Sequence, residues 1–308
     1  MLDSLKILSE LNKEYPLHFT SIELLREGGC KTYIIHDEKQ KYFLKIVSSA
    51  FRKTIIQSAE IIEYLYQNNI PVPHIIKTKK NDLYFSLDNT NEENIFILFN
   101  FIEGVGVDSG EDVEKISELI GKLHSAMKNY KGTLLKHDKQ FFIDRYIGIL
   151  KLKDYHFSKL QLYIDYGDYL WDKVKLLPTG YCHGDMHYGN LLKTNYNEYI
   201  LLDFDTSCYA YPMFDITLMC DATNYFELTP EEYDNSQKTY ERFLNGYQKY
   251  RTINNDEYNS FYNWIAIRHF QLQATLVEVF GVNCINENYI DDQLDWLTQW
   301  INLCEKNR

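Results

Sequence analysis

The sequence predicts an α+β chain in two parts: a small antiparallel sheet with one main helix over residues 1–101, and a larger, mostly helical part over residues 102–308. Three observations carry this expectation. Short β-type runs separated by tight turns fill residues 19–47. A fully apolar run at 95–101 has the length of a central buried strand, and helical periodicity dominates from residue 111 onward.

At 308 residues the chain has room for one large or two modest domains, and its 45% hydrophobic and 25% charged residues are ordinary for a folded soluble protein. A net charge of −12 argues against nucleic acid as the main partner, because binding phosphate backbones requires a basic face. The same charge is compatible with a cationic small molecule, although most of it serves to keep the surface solvated. The six cysteines, at 30, 182, 208, 220, 284 and 304, form no C-x-x-C pair, and no N-x-[ST] sequon occurs. The opening, MLDSLKILSE, lacks a basic region followed by a long apolar run, and no apolar run approaches a membrane span. A cytoplasmic chain with free thiols and no membrane partner is therefore expected. The 26 tyrosines are unusual, and a composition bias explains them as well as function does.

The elements follow in order. Leu2, Leu5, Leu8 and Leu11 predict a short docking helix over 2–14 with one leucine face. Three antiparallel strands are expected at 21–25, 33–36 and 42–47, joined by the turns Glu27-Gly28-Gly29-Cys30-Lys31 and Asp37-Glu38-Lys39-Gln40. Gly28 and Gly29 would let a backbone approach a phosphate closely; read alone they are a hairpin turn, and they do not match G-x-x-x-x-G-K-[ST]. Lys45 lies inside the apolar run Tyr-Phe-Leu-Lys-Ile-Val, where an unpaired charge is costly, so it requires a partner. The next helix, over 51–69, carries Ile55, Ile56, Ala59, Ile62 and Leu65 at helical spacing. Glu60 in its middle is the favoured partner, Glu63 the alternative, and both are also ordinary solvated positions. Asn69-Ile-Pro-Val-Pro73 ends that helix. Strands are expected again at 74–79, 83–87 and 95–101, with an acidic, Asn-rich turn at 88–94. Strand character stops at Ile102-Glu103-Gly104, the candidate linker.

The remainder is helical. Residues 112–130 align Val113, Ile116, Leu119, Ile120, Leu123 and Met127, with His124 read as a packed histidine rather than a ligand. Helices are expected at 141–152 and 160–177, before a break at Pro178-Thr-Gly180. Thr229-Pro-Glu-Glu232 is a capping box that starts a helix to about residue 250, and two more helices follow at 256–280 and 287–303. No Lys or Arg occurs between Arg268 and Lys306, while Glu278, Glu287, Asp291, Asp292, Asp295 and Glu305 accompany Tyr289, Trp296 and Trp300. A solvated acidic face is the favoured reading of this stretch; an aromatic pocket for a cation is the other.

Between these helices lies the stretch with the most chemistry, residues 181–205, YCHGDMHYGNLLKTNYNEYILLDFD. Two apolar runs, Leu191-Leu192 and Tyr199 to Leu202, flank the turn residues Asn195 and Asn197 and predict a β-hairpin. Asp185 and Asn190 precede the first strand and Asp203 closes the second, so a hairpin lets their oxygens converge. Phosphoryl transfer needs such an arrangement, because its loose transition state asks for positioning and charge neutralisation. Magnesium takes one or two protein oxygens and keeps its waters and substrate phosphates, a role that suits Asn190 and Asp203. Asp185 can accept a hydroxyl proton from the nucleophile. His183, Asp185 and His187 also read as His-x-Asp-x-His, a possible metal centre, but no second ligand cluster accompanies them.

His-Gly-Asp-x-x-x-x-Asn followed by Leu-Asp-Phe resembles the catalytic and metal loops of the aminoglycoside phosphotransferase and choline kinase superfamily, which is related in fold to protein kinases. The resemblance spans about residues 20–220 and is strongest over 181–203. It implies a protein-kinase-like bilobal fold that uses ATP and Mg2+, with Asp185 as catalytic base and Asn190 and Asp203 as metal ligands. It also implies His183 and Asp215 as supports of the catalytic loop and Lys45, set by Glu60, on the nucleotide phosphates. The Gly28-Gly29 loop would lie over those phosphates, and adenine would meet the Asn100 carbonyl and the Ile102 amide. Backbone recognition does not separate ATP from GTP. The acceptor implied is a small-molecule hydroxyl, with the acidic C-terminal region leaning toward a cation. Gly184 stands where protein kinases carry Arg, Asp205 stands where they carry Gly, and no Ala-Pro-Glu follows. A protein Ser/Thr acceptor is therefore the lesser alternative, beside a nucleotide-binding module without turnover.

Overall fold

A computed structural model describes residues 3–89, 92–108, 110 and 112–307. In chain order its first elements are α1 (Ser4–Glu14), β1 (Ser21–Glu27), β2 (Lys31–His36), β3 (Lys41–Ser48), α2 (Arg52–Gln67), β4 (Phe85–Asn89), β5 (Glu92–Asn100) and β6 (Gly104–Gly106). Then come α3 (Val113–Ala126), β7 (Leu135–Lys136), α4 (Arg145–Leu152), α5 (Phe157–Val174), β8 (Gly180–Cys182), β9 (Leu191–Thr194), β10 (Tyr199–Leu201) and β11 (Cys208–Ala210). The chain ends with α6 (Pro212–Cys220), α7 (Pro230–Tyr247), α8 (Asn255–Asn259), α9 (Phe261–Phe280) and α10 (Glu287–Lys306). The class is α+β. Two compact units divide it: Met1–Ser109 with Asn129–Leu134 and Tyr188–Ser207, and Gly110–Lys128 with Leu135–His187 and Cys208–Arg308.

In the first unit, β1 to β5 form one antiparallel sheet in the order β1-β2-β3-β5-β4. Alternation puts Tyr33 and Ile35, Tyr42, Leu44 and Ile46, and Phe96 and Leu98 on one face, packed with Ile7 and Leu11 of α1. Lys45, between Leu44 and Ile46, therefore points to the other face. The buried residues of α1 are Ile7 and Leu11, and Leu5 is exposed. Steps of three residues drift backward around a helix, so Leu5 and Leu11 stand about 120° apart and the expected leucine stripe is not one face. Leu2 lies outside the described residues.

The α2 helix stops through Asn69, which adopts φ 57° while Asn69 N–H donates to Tyr66 O (3.1 Å) and Ile70 N–H to Leu65 O (3.0 Å). This is a left-handed C-terminal cap, so Pro71 and Pro73 follow the stop rather than cause it. Residues 74–79 do not form the expected strand; only Ile75 bridges to Phe99. The edge of β5 is the reason: β4 occupies it from Glu92 to Phe96, leaving room for two further bonds, Ile76 N–H to Leu98 O and Asn100 N–H to His74 O. The expected acidic turn is shorter than 88–94, because Asp88 pairs with Glu93 and Asn89 with Glu92; Thr90 and Asn91 lie outside the described residues.

The predicted hairpin forms as β9 and β10, and the order β10-β9-β6 shows a third strand that the sequence reading missed. Gly104 starts that strand against β9, where a Cβ would meet the Lys193 carbonyl oxygen at 2.9 Å, so the residue that looked like a linker glycine is required by close packing.

The second unit is helical around a small sheet in the order β7-β11-β8. Its strands of two or three residues are too short for periodicity to announce. The α3 face is buried as expected, and α7 opens on Thr229 with both capping-box bonds. The helix expected over 256–280 is interrupted at Ser260, and a π-turn, Gln140–Asp144, leads into α4. In α10, Trp296 and Trp300 are buried while Glu287, Asp292 and Asp295 are exposed. Glu278 of α9 pairs with Arg145 (2.7 Å) and Asp291 with Lys159 (2.6 Å). The acidic groups and the tryptophans thus occupy different faces, in line with the solvated reading.

His269 of α9 is fully buried, stacked on Trp296 with ring centroids 4.5 Å apart, and both its ring nitrogens lack a hydrogen-bond partner among the described residues. Burial pushes its imidazole from 6.5 down to about 3. The folded state thus binds fewer protons than the unfolded chain in that window, so the stability this group contributes is intact above about 6.5 and is lost as pH falls toward about 3. His269→Phe keeps the stack and removes the titration. Urea midpoints measured from pH 7 to 4 should lose stability less steeply in the variant, by up to about 1.4 kcal/mol per pH unit; parallel curves would refute this origin of acid sensitivity.

Candidate active site

In the second unit, β8 delivers the chain into His183-Gly184-Asp185. Cys182 of β8 lies opposite Cys208 of β11, and both are buried. Asp215, in the first turns of α6, is fully buried and accepts the His183 amide on Oδ2 (2.6 Å) and the Gly184 amide on Oδ1 (3.0 Å). Gly184 has φ 84°, a conformation that L side chains rarely adopt, which gives this glycine a steric reason. His183 is itself buried, and Asp215 is bonded to the backbone of the loop. His124 of α3 closes the arrangement with Nε2 3.1 Å from Asp215 Oδ2, so the packed histidine expected at this position also holds the carboxylate. Asp185 follows as a half-exposed side chain with His187 Nε2 3.4 Å from its Oδ2. Among the described residues no three His, Cys, Asp or Glu side chains form a group that could hold a metal ion.

In the first unit, Lys45 of β3 sits between Thr32 of β2 and Ile97 of β5. Its ammonium reaches Asp203 Oδ1 at 3.4 Å and makes a closer bond to Asp205 Oδ2. Burial acts to lower the Lys45 ammonium, but the carboxylates of Asp205 and Asp203 outweigh it and hold the group above its ordinary range, fully charged. This corrects the expected partner. Glu60 is exposed on α2 and Glu63 pairs with Lys77 (2.7 Å); neither is an ion-pair partner of Lys45. The expected partners lay only on α2, although a second carboxylate two residues after Asp203 was the available signal.

Local structure explains how these groups are held. The Leu202 amide donates to the Asn190 carbonyl (2.9 Å), which ties the residue before Asp203 to Asn190 at the end of the short turn Tyr188–Asn190. The Leu201 amide donates to Pro71 O (3.0 Å), and Gln57 of α2 donates to Ser207 O (2.7 Å). Asp203 adopts φ 57°, a left-handed conformation that costs on the order of 1 kcal/mol and persists where the surroundings impose it. One oxygen of Asp205, Oδ1, is buried without a hydrogen-bond partner among the described residues. Two carboxylates two residues apart, Asp203 and Asp205, with one buried oxygen unpaired among the described residues, fit a hard divalent cation such as magnesium.

The remaining predicted nucleotide contacts are less distinctive. Gly28 and Gly29 occupy the β1–β2 turn, have no left-handed backbone and would meet nothing within 4 Å if given a Cβ. Asn100 ends β5, where its side chain accepts the His74 amide at 2.6 Å, and Ile102 lies just beyond. These positions neither oppose nor require a nucleotide.

Comparison with known proteins bears on the fold and the family. A probable ketoamine kinase of Vibrio parahaemolyticus is 26% identical over 230 residues, 66% of this chain and 74% of that protein. Among solved structures, the amicoumacin kinase hAmiN in complex with AMP-PNP and Ca2+ superposes with a TM-score of 0.75 at 18% identity, covering 97% of this chain and 93% of that one. A microcompartment-associated aminopropanol kinase gives 0.74 at 14% identity, covering 96% and 95%. These likenesses establish the kinase-like fold. Residues 22–253 match the phosphotransferase enzyme family (APH), and with most of its length inside that match the chain belongs to this family.

Proposed function

We propose that this protein transfers the γ-phosphate of ATP, with magnesium, to a hydroxyl of a small cationic molecule. The observation that carries the reading is the convergence of Lys45 with Asp203 and Asp205 at the closing end of the β9–β10 hairpin. Asn190 and Asp203 would hold the metal, with Asp205 beside them. When bound, magnesium neutralises charge on the phosphate oxygens. Lys45, kept cationic by its neighbours, steadies those phosphates. Asp185 orients the acceptor hydroxyl and takes its proton, and Asp215 keeps the loop that carries Asp185 in place. Residues 1–101 would supply most nucleotide contacts, with adenine on the Asn100 carbonyl and Ile102 amide, backbone groups that do not separate ATP from GTP, and residues 102–308 the base and acceptor site.

The cationic acceptor is supported by the net charge of −12 and by relatives named for a ketoamine and an aminopropanol. No helix among the described residues is long and apolar enough to cross a membrane, which is compatible with a cytoplasmic acceptor. The test is ADP release with ATP and magnesium across aminoglycosides, choline, ethanolamine, homoserine, methylthioribose and fructosamines. Release stimulated by one amine-bearing class supports the reading. Stimulation only by a neutral sugar or a protein overturns the cationic acceptor, and nucleotide binding without release across the panel supports a module without turnover.

A further inference from the structure

Asp215 is the near end of a longer buried chain of polar groups within the helical unit. His124 Nδ1 lies 2.7 Å from the Tyr247 hydroxyl, opposite the ring nitrogen that faces Asp215. Arg251 Nη1 lies 3.0 Å from the same hydroxyl, and its Nη2 donates to Glu257 Oε1 at 2.7 Å. Arg251 and Glu257 side chains are 10% and 3% exposed, so this ion pair is desolvated and neither partner is dispensable to the other. Glu257 is fixed in turn by the α8 cap, where its Oε2 accepts the Asn254 amide.

The chemistry of the donors sets a direction along this chain. A guanidinium only donates, so the Tyr247 oxygen accepts from Arg251 and keeps its own hydrogen for His124 Nδ1. Nδ1 is then an acceptor, and the single hydrogen of a neutral imidazole sits on Nε2, where it meets the Asp215 carboxylate. Burial favours this neutral form, holding His124 below its ordinary range against the pull of Asp215, with Arg251 and His183 acting in the same sense as burial. The groups that face His124 are Asp215 from α6, Tyr247 at the end of α7, Arg251 from the segment after it, His183 from the loop and the Tyr181 ring of β8.

We infer that Tyr247 and Arg251 are positioning residues for phosphotransfer. The Arg251–Glu257 pair orients the Tyr247 hydroxyl, the hydroxyl selects the His124 tautomer, and that tautomer fixes the Asp215 carboxylate on which the His183 and Gly184 amides hang, immediately before Asp185. The inference rests on the reading of Asp185 as the base. It assigns a role in the reaction to Tyr247 at the end of α7, to Arg251 just beyond it and to Glu257 of α8, all outside the 181–205 stretch.

The test uses the full chain and the isosteric variants Tyr247→Phe and Glu257→Gln, with Arg251→Lys as the conservative replacement and Arg251→Met as its control. In Tyr247→Phe, kcat should fall about 10- to 100-fold with KM for ATP little changed, because the loop is misplaced and the nucleotide site is not. Ring nitrogen NMR should report the Nε2–H tautomer of His124 in the wild type. In Tyr247→Phe it should show His124 taking a second proton at higher pH, with a matching new step in the pH–rate profile. The Gly184 amide should exchange faster in the same variant, and Arg251→Lys should retain more activity than Arg251→Met. Wild-type kcat in Tyr247→Phe, or unchanged His124 and Gly184 signals, would overturn the inference. The NMR and exchange readouts do not depend on turnover, so a failure of Asp185 as base, seen as full activity in Asp185→Ala, is distinguishable from a failure of the relay.

Discussion

Replacing Asp203 with Asn is expected to reduce phosphotransfer at ordinary magnesium by about 10²- to 10³-fold, the size of effect seen when one preorganised charge-stabilising group is lost. The side chain keeps its shape, so the loss reports charge. Asp203 Oδ1 stands 3.4 Å from Lys45 and holds a left-handed backbone that aspartate and asparagine both tolerate, so the variant should fold. The amide would weaken metal binding, and raising magnesium should restore part of the rate. Kinetics across a magnesium titration decide the matter. Full activity at ordinary magnesium would show that Asp203 is not a metal ligand.

Asp215→Ala should be the most destabilising single change near the site. The carboxylate is fully buried and accepts from the His183 and Gly184 amides and from His124. Truncation strands these donors in a water-poor interior. Each unpaired buried donor costs about 1–3 kcal/mol, and loss of a buried charge partner costs about 3–5 kcal/mol in all. Chemical denaturation should therefore show a drop of about 3–5 kcal/mol in unfolding free energy, or no folded protein at all. A change below about 1 kcal/mol would mean that other groups hold the loop.

The parts of this protein legible in the sequence are those where one residue type has one physical use. The β9–β10 hairpin was readable because its apolar runs flank turn residues, and the α7 start because Thr229 and Glu232 stand at capping distance. The partner of Lys45 was misread. Helical spacing alone cannot say which face of α2 turns inward, and Glu60 is on the exposed one. Asp205 was undervalued for the opposite reason: its neighbour 160 positions away is brought by tertiary structure that local pattern does not encode. The short strands β6, β7, β8 and β11 were invisible because two or three residues carry no period. Asp215 was recognised by position, but its partner amides and the buried Arg251–Glu257 pair emerged only from the packing of α3, α6, α7 and α8. The acidic and aromatic C-terminal stretch shows the limit of composition: the same residues that suggest a cation pocket resolve into a tryptophan-lined core and a charged outer face of α10.

The most direct measurement is the mass of the acceptor after turnover with ATP and magnesium, using wild type and Asp185→Ala side by side. Phosphorylated acceptor should accumulate with the wild type and form about 10²- to 10⁴-fold more slowly with the variant, while the affinity for ATP stays the same. Phosphorylated acceptor appearing at equal rates from both proteins would contradict Asp185 as the base, and ADP produced without a phosphorylated acceptor would contradict phosphotransfer itself.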